Sequence, residues 1–208
     1  MTLMLWSDPD SSNALKVRFL LAELGVPYEI RPISLDRPRP QEYLALNPVG
    51  GIPTLQDDDL TVSESHAILR YLATRERRGD LYPDDARERA LVDEFLERFN
   101  TRLRGALFRV EAVALGWALA DGFDPSRGDP AQAAEVAAEV AGEIDLLERV
   151  VGEDFTVLGR FTIADCALAP VLHRMGPCGI DLTARPRLAA LRERLLSRPA
   201  WAAAEPAL

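Results

Sequence analysis

Glu64 and Ser65 stand just ahead of Ala67, Ile68, Leu69 and Leu72, apolar residues spaced for one helical face, so a carboxylate and a hydroxyl fall at a helix N-terminus. Exposed amides and the positive end of the helix dipole favour an anion at that place, with the serine hydroxyl as a further donor. The acidic side chain beside them suits an ammonium. Together the pair fits the zwitterionic end of an amino acid, although serine at a helix start is also an ordinary cap. A second candidate is the Ile52-Pro53 step. Proline donates no backbone hydrogen bond and belongs at a strand start or edge, which leaves the Ile52 amide and carbonyl available to a ligand backbone. The residues alone assign that peptide to the commoner trans form.

These groups need a scaffold, and the chain supplies one in pieces. Asn47-Pro48 and Gly50-Gly51 are turn chemistry ahead of a strand, and Leu60-Thr61-Val62 reads as another. At the N-terminus Leu3 to Ser7 reads as a buried strand. Leu15 to Leu24 follows as a helix with Val17, Leu20, Leu21 and Leu24 apolar, joined through Asp8 to Ala14. Residues 1–78 thus alternate strand and helix, 79–85 form a linker, and 86–208 carry long helical patterns with almost no strand signal. In that second part Leu91, Phe95, Phe99, Leu103 and Leu107 recur every four residues. Val136, Val140, Ile144, Leu147 and Val151 nearly do so; each set predicts an amphipathic helix. Gly122 to Pro130 reads as a surface loop. Thr162 and Asp165 form a capping-box start for a helix from Ile163 to about Met175, a structural role for Asp165 rather than a catalytic one.

Composition narrows the function. The 208 residues are 48% hydrophobic and 27% charged, enough for one large domain or two small ones, with a net charge of -9. That charge argues against nucleic acid or an anionic membrane as partner. The opening apolar run is short, without a basic flank or cleavage pattern, so the expected location is cytoplasmic. Cys166 and Cys178 show no CxxC pattern, and neither a disulfide framework nor a metal site is expected. His66 and His173 have no recognisable partner spacing and read as structural.

The segments NPVGGIPTL (47–55) and VSESHAILRYL (62–72) resemble the glutathione-binding half of the cytosolic glutathione transferases. The resemblance implies an α/β thioredoxin-like N-terminal domain followed by an all-α helical C-terminal domain, and the box at Thr162 to Asp165 extends it to the second half. It implies a cis peptide before Pro53, pairing of the Ile52 backbone with the cysteinyl unit of glutathione, and capture of the γ-glutamyl group by Glu64 and Ser65. It also places the residue that bonds the glutathione sulfur in the first loop and helical turn. Alignment on Lys16-Val17-Arg18 puts Ser11 there, with Ser12 and Asn13 as alternates; Trp6 has no hydroxyl, so a tyrosine-type enzyme is excluded. Asn100, Arg104, Phe108 and Trp117 would line the pocket for the electrophile.

Departures count as well. Many relatives carry Lys or Arg just before the hydrophobic-Pro step, where this chain has Gly51; Arg37 or Arg39 would substitute as the cation for a glutathione carboxylate. The Ser11-Ser12 pair is similar to the zeta class, which isomerises maleylacetoacetate, but Asn13 replaces the expected cysteine. Asn in this loop is shared with nu-like members, which reduce disulfides or peroxides with glutathione. The resemblance therefore implies a serine-type, homodimeric detoxification enzyme that uses glutathione as co-substrate, without metal, on an electrophilic and largely apolar partner. The alternatives are a glutathione-dependent reductase, a zeta-like isomerase and a non-catalytic interaction module of the same fold.

Overall fold

The computed structural model describes residues 3–118, 122–123 and 128–205. Its first part is a four-stranded sheet in the order β2-β1-β3-β4, built from β1 (Leu3–Ser7), β2 (Tyr28–Pro32), β3 (Thr54–Asp57) and β4 (Leu60–Ser63). β1 pairs parallel with β2 and antiparallel with β3, and β3 with β4 forms a hairpin. A parallel pair needs a crossover, and α1 (Ser12–Leu24) supplies it. The short α2 (Gln41–Leu46) leads to β3, and α3 (Ser65–Arg75) follows β4. This is the mixed, thioredoxin-like sheet that the resemblance implies.

α1 is buried along nearly its whole length, from Ser12 to Leu21 except for Asn13. A helix buried on all sides needs cover from two layers. The sheet and α3 provide one, and α8 (Ile163–Met175) with α10 (Pro199–Ala204) provides the other. Phe19 marks the join, meeting Trp201 and Phe161 edge to face at 5.3 and 5.8 Å. One apolar core therefore runs from Leu5 and Leu55 of the sheet through α1 to Leu168 and Leu172.

The remaining helices are α4 (Ala86–Arg98), α5 (Gly105–Ala114), α6 (Pro130–Glu139), α7 (Ala141–Val150) and α9 (Pro186–Leu196). Three readings change here. The four-residue stripe from Leu91 to Leu107 does not lie on one α-helix, because such spacing drifts by about 40° per step around a 3.6-residue turn. Leu91 consequently lies 50% exposed, and Phe99–Arg104 winds as a π-helix between α4 and α5, keeping Phe99, Leu103 and Leu107 buried. The second stripe is likewise two helices, broken at Val140, where α6 ends at φ -95 and ψ 0. The loop expected from residue 122 begins instead in β6 (Gly122–Phe123), which pairs antiparallel with β5 (Trp117–Ala118), while 119–121 and 124–127 lie outside the described residues. Two-residue strands leave too little sequence to read.

The capping box forms. Thr162 N donates to Asp165 Oδ2 at 2.8 Å, and α8 runs over the expected Ile163–Met175. Asp165 does more than cap: its other oxygen accepts from Thr156 N at 2.8 Å and Thr156 Oγ1 at 2.6 Å, tying the preceding loop to the helix start. Burial pushes this carboxyl up to about 6 against those hydrogen bonds, which act in the opposite sense.

Candidate active site

The first turn of α1, the Ile52-Pro53 step and the start of α3 converge at one end of the sheet, where Trp6 of β1, Thr54 of β3 and Ser63 of β4 stand in register. Turn chemistry delivers Ile52: Gly50 has φ 68, and a side chain there would meet Arg39 Cγ and Leu44 Cδ2 at 3.2 Å. Asn47 Nδ2 donates to the Gly51 carbonyl at 2.9 Å, and the Tyr43 hydroxyl bonds the same carbonyl. The Ile52-Pro53 peptide is cis, as the resemblance implies, and Arg37-Pro38 is a second cis step that the sequence did not announce. Ile52 packs in a small cluster with Ala14 of α1, Ile33 and Tyr43. Its neighbour in that cluster is thus the first turn of the helix that Ser11 caps.

Ser11 is the N-cap of α1. Its Oγ accepts from Ala14 N at 3.2 Å, so its own proton remains for another acceptor. Ser12 differs: its Oγ accepts 2.7 Å from Arg104 Nη2 and lies 2% exposed. Asn13 is half-buried. The three candidates in this loop therefore separate, with Ser12 engaged by the helical half and Ser11 held only by its own turn.

At α3 the N-cap is Glu64, which makes no side-chain capping bond and sits at φ 71, ψ 113. A non-glycine residue in that region costs about 1 to 3 kcal/mol, and such strain gathers at ligand sites. The first-turn amides of α3 thus have no side-chain cap, with Ser65 buried and Glu64 exposed beside them. The two helix starts lie side by side. Lys16, one turn into α1, reaches to 3.4 Å from His66 Nε2 in the first turn of α3, and lies under the Phe99 ring at 5.0 Å. Burial drives Lys16 well below its ordinary value, and burial with the nearby Lys16 lowers His66 to about 2, so both are drawn to their neutral forms. Two positive helix ends meet at this corner, a setting that favours an anion.

Arg39 has a different setting from the one expected. It lies 7% exposed, donating from Nε to the Gly50 carbonyl at 3.0 Å and from Nη1 to the carbonyls of Ser34 and Asp36. These bonds brace the turn that presents Ile52. Arg37, by contrast, is exposed, with Nη1 4.0 Å from where a Gly50 side chain would begin. In the helical half Asn100 is exposed on the π-helical segment and Phe108 is half-buried, with the Arg104 guanidinium 5.1 Å from the Phe108 ring centre. Arg104 itself is 7% exposed, enclosed between Ser12 and Glu111. Trp117 begins β5, and its side chain lies outside the described ones.

The family model described as "Glutathione S-transferase, N-terminal domain" matches residues 1–74, and that of the C-terminal domain matches residues 130–194. Glutathione S-transferase GstB of Escherichia coli is 30% identical over 205 residues, covering 95% of both chains. Among solved structures, glutathione S-transferase III in apo form superimposes with a TM-score of 0.79 at 28% identity, over 98% of this chain and 95% of that one. The human theta-class glutathione transferase, in complex with the glutathione conjugate of 1-menaphthyl sulfate, gives a TM-score of 0.81 at 26% identity, over 99% of this chain and 88% of that one. The chain belongs to the glutathione S-transferase family and is a transferase.

Among the described residues no cluster of His, Cys, Asp or Glu is grouped to hold a metal ion, and no helix is long and apolar enough to cross a membrane.

Proposed function

We propose that this chain binds glutathione along the Ile52 edge and activates its thiol at Ser11 for attack on an electrophilic, largely apolar substrate. The observation that carries this reading is the adjacency of the capped α1 start, the Ile52-Pro53 step and the uncapped α3 start, through Ile52 on Ala14 and Lys16 on His66. In it the Ile52 backbone pairs with the cysteinyl unit while Glu64 takes the γ-glutamyl ammonium. Ser65 and the first α3 amides take its carboxylate. Arg37, exposed beside Gly50, is the cation for the other end of the tripeptide, with Arg39 bracing the turn from behind. Asn100 and Phe108 flank the electrophile, and Arg104 forms the buried wall behind them.

The chemistry needs one well-aimed donor. A thiol of pKa about 8.5 is a few per cent thiolate at neutral pH, and the thiolate is the nucleophile. A hydrogen bond from Ser11 and the dipole of α1 favour the anion. Lowering the pKa by about two units stabilises it by about 2.7 kcal/mol and makes it the major species at pH 7. The thiol proton leaves to solvent, the sulfur lone pair forms the new carbon–sulfur bond, and the leaving group departs with the electrons of its own bond. Serine neither accepts that proton nor becomes covalently attached.

Conjugation of a chlorodinitrobenzene tests the reading. Wild type is expected to turn it over, and Ser11→Ala to lose most of the rate while still binding glutathione by calorimetry. Undiminished turnover in Ser11→Ala would overturn the role of Ser11, and absence of glutathione binding by wild type would overturn the whole reading. Turnover of a mixed disulfide or hydroperoxide far above conjugation would replace transfer by reduction. The homodimer and cytoplasmic location expected of such an enzyme are part of the proposal, checked by light scattering and by fractionation.

A further inference from the structure

The loop that carries Ser11 is gripped by three arginines. Arg18 Nη2 donates to the Pro9 carbonyl at 3.1 Å, Arg174 Nη2 to the Asp10 carbonyl, and Arg104 Nη2 to Ser12 Oγ at 2.7 Å. Arg18 belongs to α1 itself. Arg104 and Arg174 come from the π-helical segment and from α8, and their bonds fall on the two chain neighbours of Ser11. Glu111 of α5 joins them: its Oε2 lies 3.0 Å from Arg104 Nη2 and 3.9 Å from Arg174 Nη1. All three side chains are at least almost nine-tenths buried. A buried ion cluster costs desolvation that well-packed apolar groups would avoid, so adhesion between the two halves is a poor reason for it. Placement of the loop is a better one.

We propose that Arg104, Glu111 and Arg174 are positioning residues, which fix the Asp10–Ser12 turn from the helical half so that the Ser11 hydroxyl aims at the glutathione sulfur. This rests on the use of Ser11 proposed above. The charged and titratable groups facing the turn support the assignment. Lys16 and His66 are drawn to neutrality by burial, burial also raises Asp8, and Cys178 beside Arg174 and Glu111 is pushed up to about 12. Asp10 is part of the turn, and Glu64 lies on the Lys16 side. Burial lowers Arg18 and Arg174 as well, Arg39 faces Asp8 from the other side, and the triad sums to one positive formal charge.

The test follows the pH dependence of kcat for conjugation at saturating glutathione, together with the ultraviolet absorption of bound thiolate. Arg174→Met should move the acid limb up by about one unit, a roughly tenfold loss of thiolate on that limb, while Arg174→Lys keeps the wild-type limb. Arg104→Met combined with Glu111→Leu removes one charge of each sign and keeps Arg174 on the Asp10 carbonyl, so a shifted limb in that folded variant reports geometry rather than net charge. In each case KM for glutathione should stay within about twofold, since the ligand contacts are untouched. Unmoved limbs in folded Arg174→Met and in the double variant would overturn the proposal. So would effects confined to KM. Wild type that binds glutathione without thiolate absorption would instead defeat the Ser11 reading itself.

Discussion

Lys16 Nζ and His66 Nε2 lie 3.4 Å apart in the seam between α1 and α3, both more than nine-tenths buried, with the Phe99 ring closing over them. Two basic groups thus share one dry site. Only one proton need lie between them, and the folded chain resists the second.

That resistance sets a pH dependence. The unfolded chain protonates residue 66 near its ordinary 6.5, whereas burial first, then Lys16, holds the folded histidine to about 2. Between those values the unfolded state binds more protons, so stability falls as pH falls, by at most about 1.4 kcal/mol per unit. Asp165 acts in the opposite sense from 3.8 to about 6, since its folded pKa is raised and protonation there favours the native state. Comparison with His66→Gln cancels the Asp165 effect. Denaturant unfolding from pH 7 to 4 should show wild type losing stability more steeply than the variant; parallel curves would refute the assignment.

How far the sequence went depended on how local each signal was. Glu64-Ser65, Ile52-Pro53 and the Thr162–Asp165 box are contiguous, and each was legible as turn, edge or cap. The left-handed backbone at Glu64 left no mark in residue type, because glutamate is not the residue such a conformation selects. The strict four-residue stripe was legible as helix but not as π-helix, since apolar spacing does not record which carbonyl each amide finds. Arg104 on Ser12 and Arg174 on Asp10 join residues 92 and 164 positions apart, and no local pattern announces such a bond. The same holds for Arg39, legible as a cation but placed against carbonyls by the turn it braces.

Asp165→Ala is expected to lower stability by about 3 kcal/mol or more, because it strands the amides of Thr156 and Thr162 in the interior and opens the reciprocal half of the capping box. Glutathione affinity of the surviving folded fraction should match wild type. A variant that melts normally but fails to turn over substrate would move Asp165 from scaffold to chemistry.

Glu64 offers a trade between strain and binding. Glycine adopts φ 71 without steric cost, so Glu64→Gly should recover some of the strain, offset by the greater freedom of glycine in the unfolded chain. A net gain of about 1 kcal/mol corresponds to a rise of roughly 3 °C in Tm for a chain of this length. Glu64→Ala keeps the strain and should show no such rise. Both variants should bind glutathione more weakly in calorimetry, having lost the carboxylate; equal Tm for glycine and alanine would show the backbone to be unstrained.

Cys166 and Cys178 lie 0% and 2% exposed, and burial raises both thiols, Cys178 to about 12. Reactivity follows the thiolate, so neither should act as a nucleophile in the folded chain. An aromatic disulfide reagent at pH 7.5 should leave native protein unlabelled over an hour, then titrate both cysteines at once in denaturant. Cys178→Ala should turn over a mixed disulfide no differently from wild type if any glutathione-dependent reduction occurs, since the sulfur chemistry belongs to the bound tripeptide. Rapid labelling of native protein, or loss of that turnover on replacing Cys178, would place a protein thiol in the reaction instead.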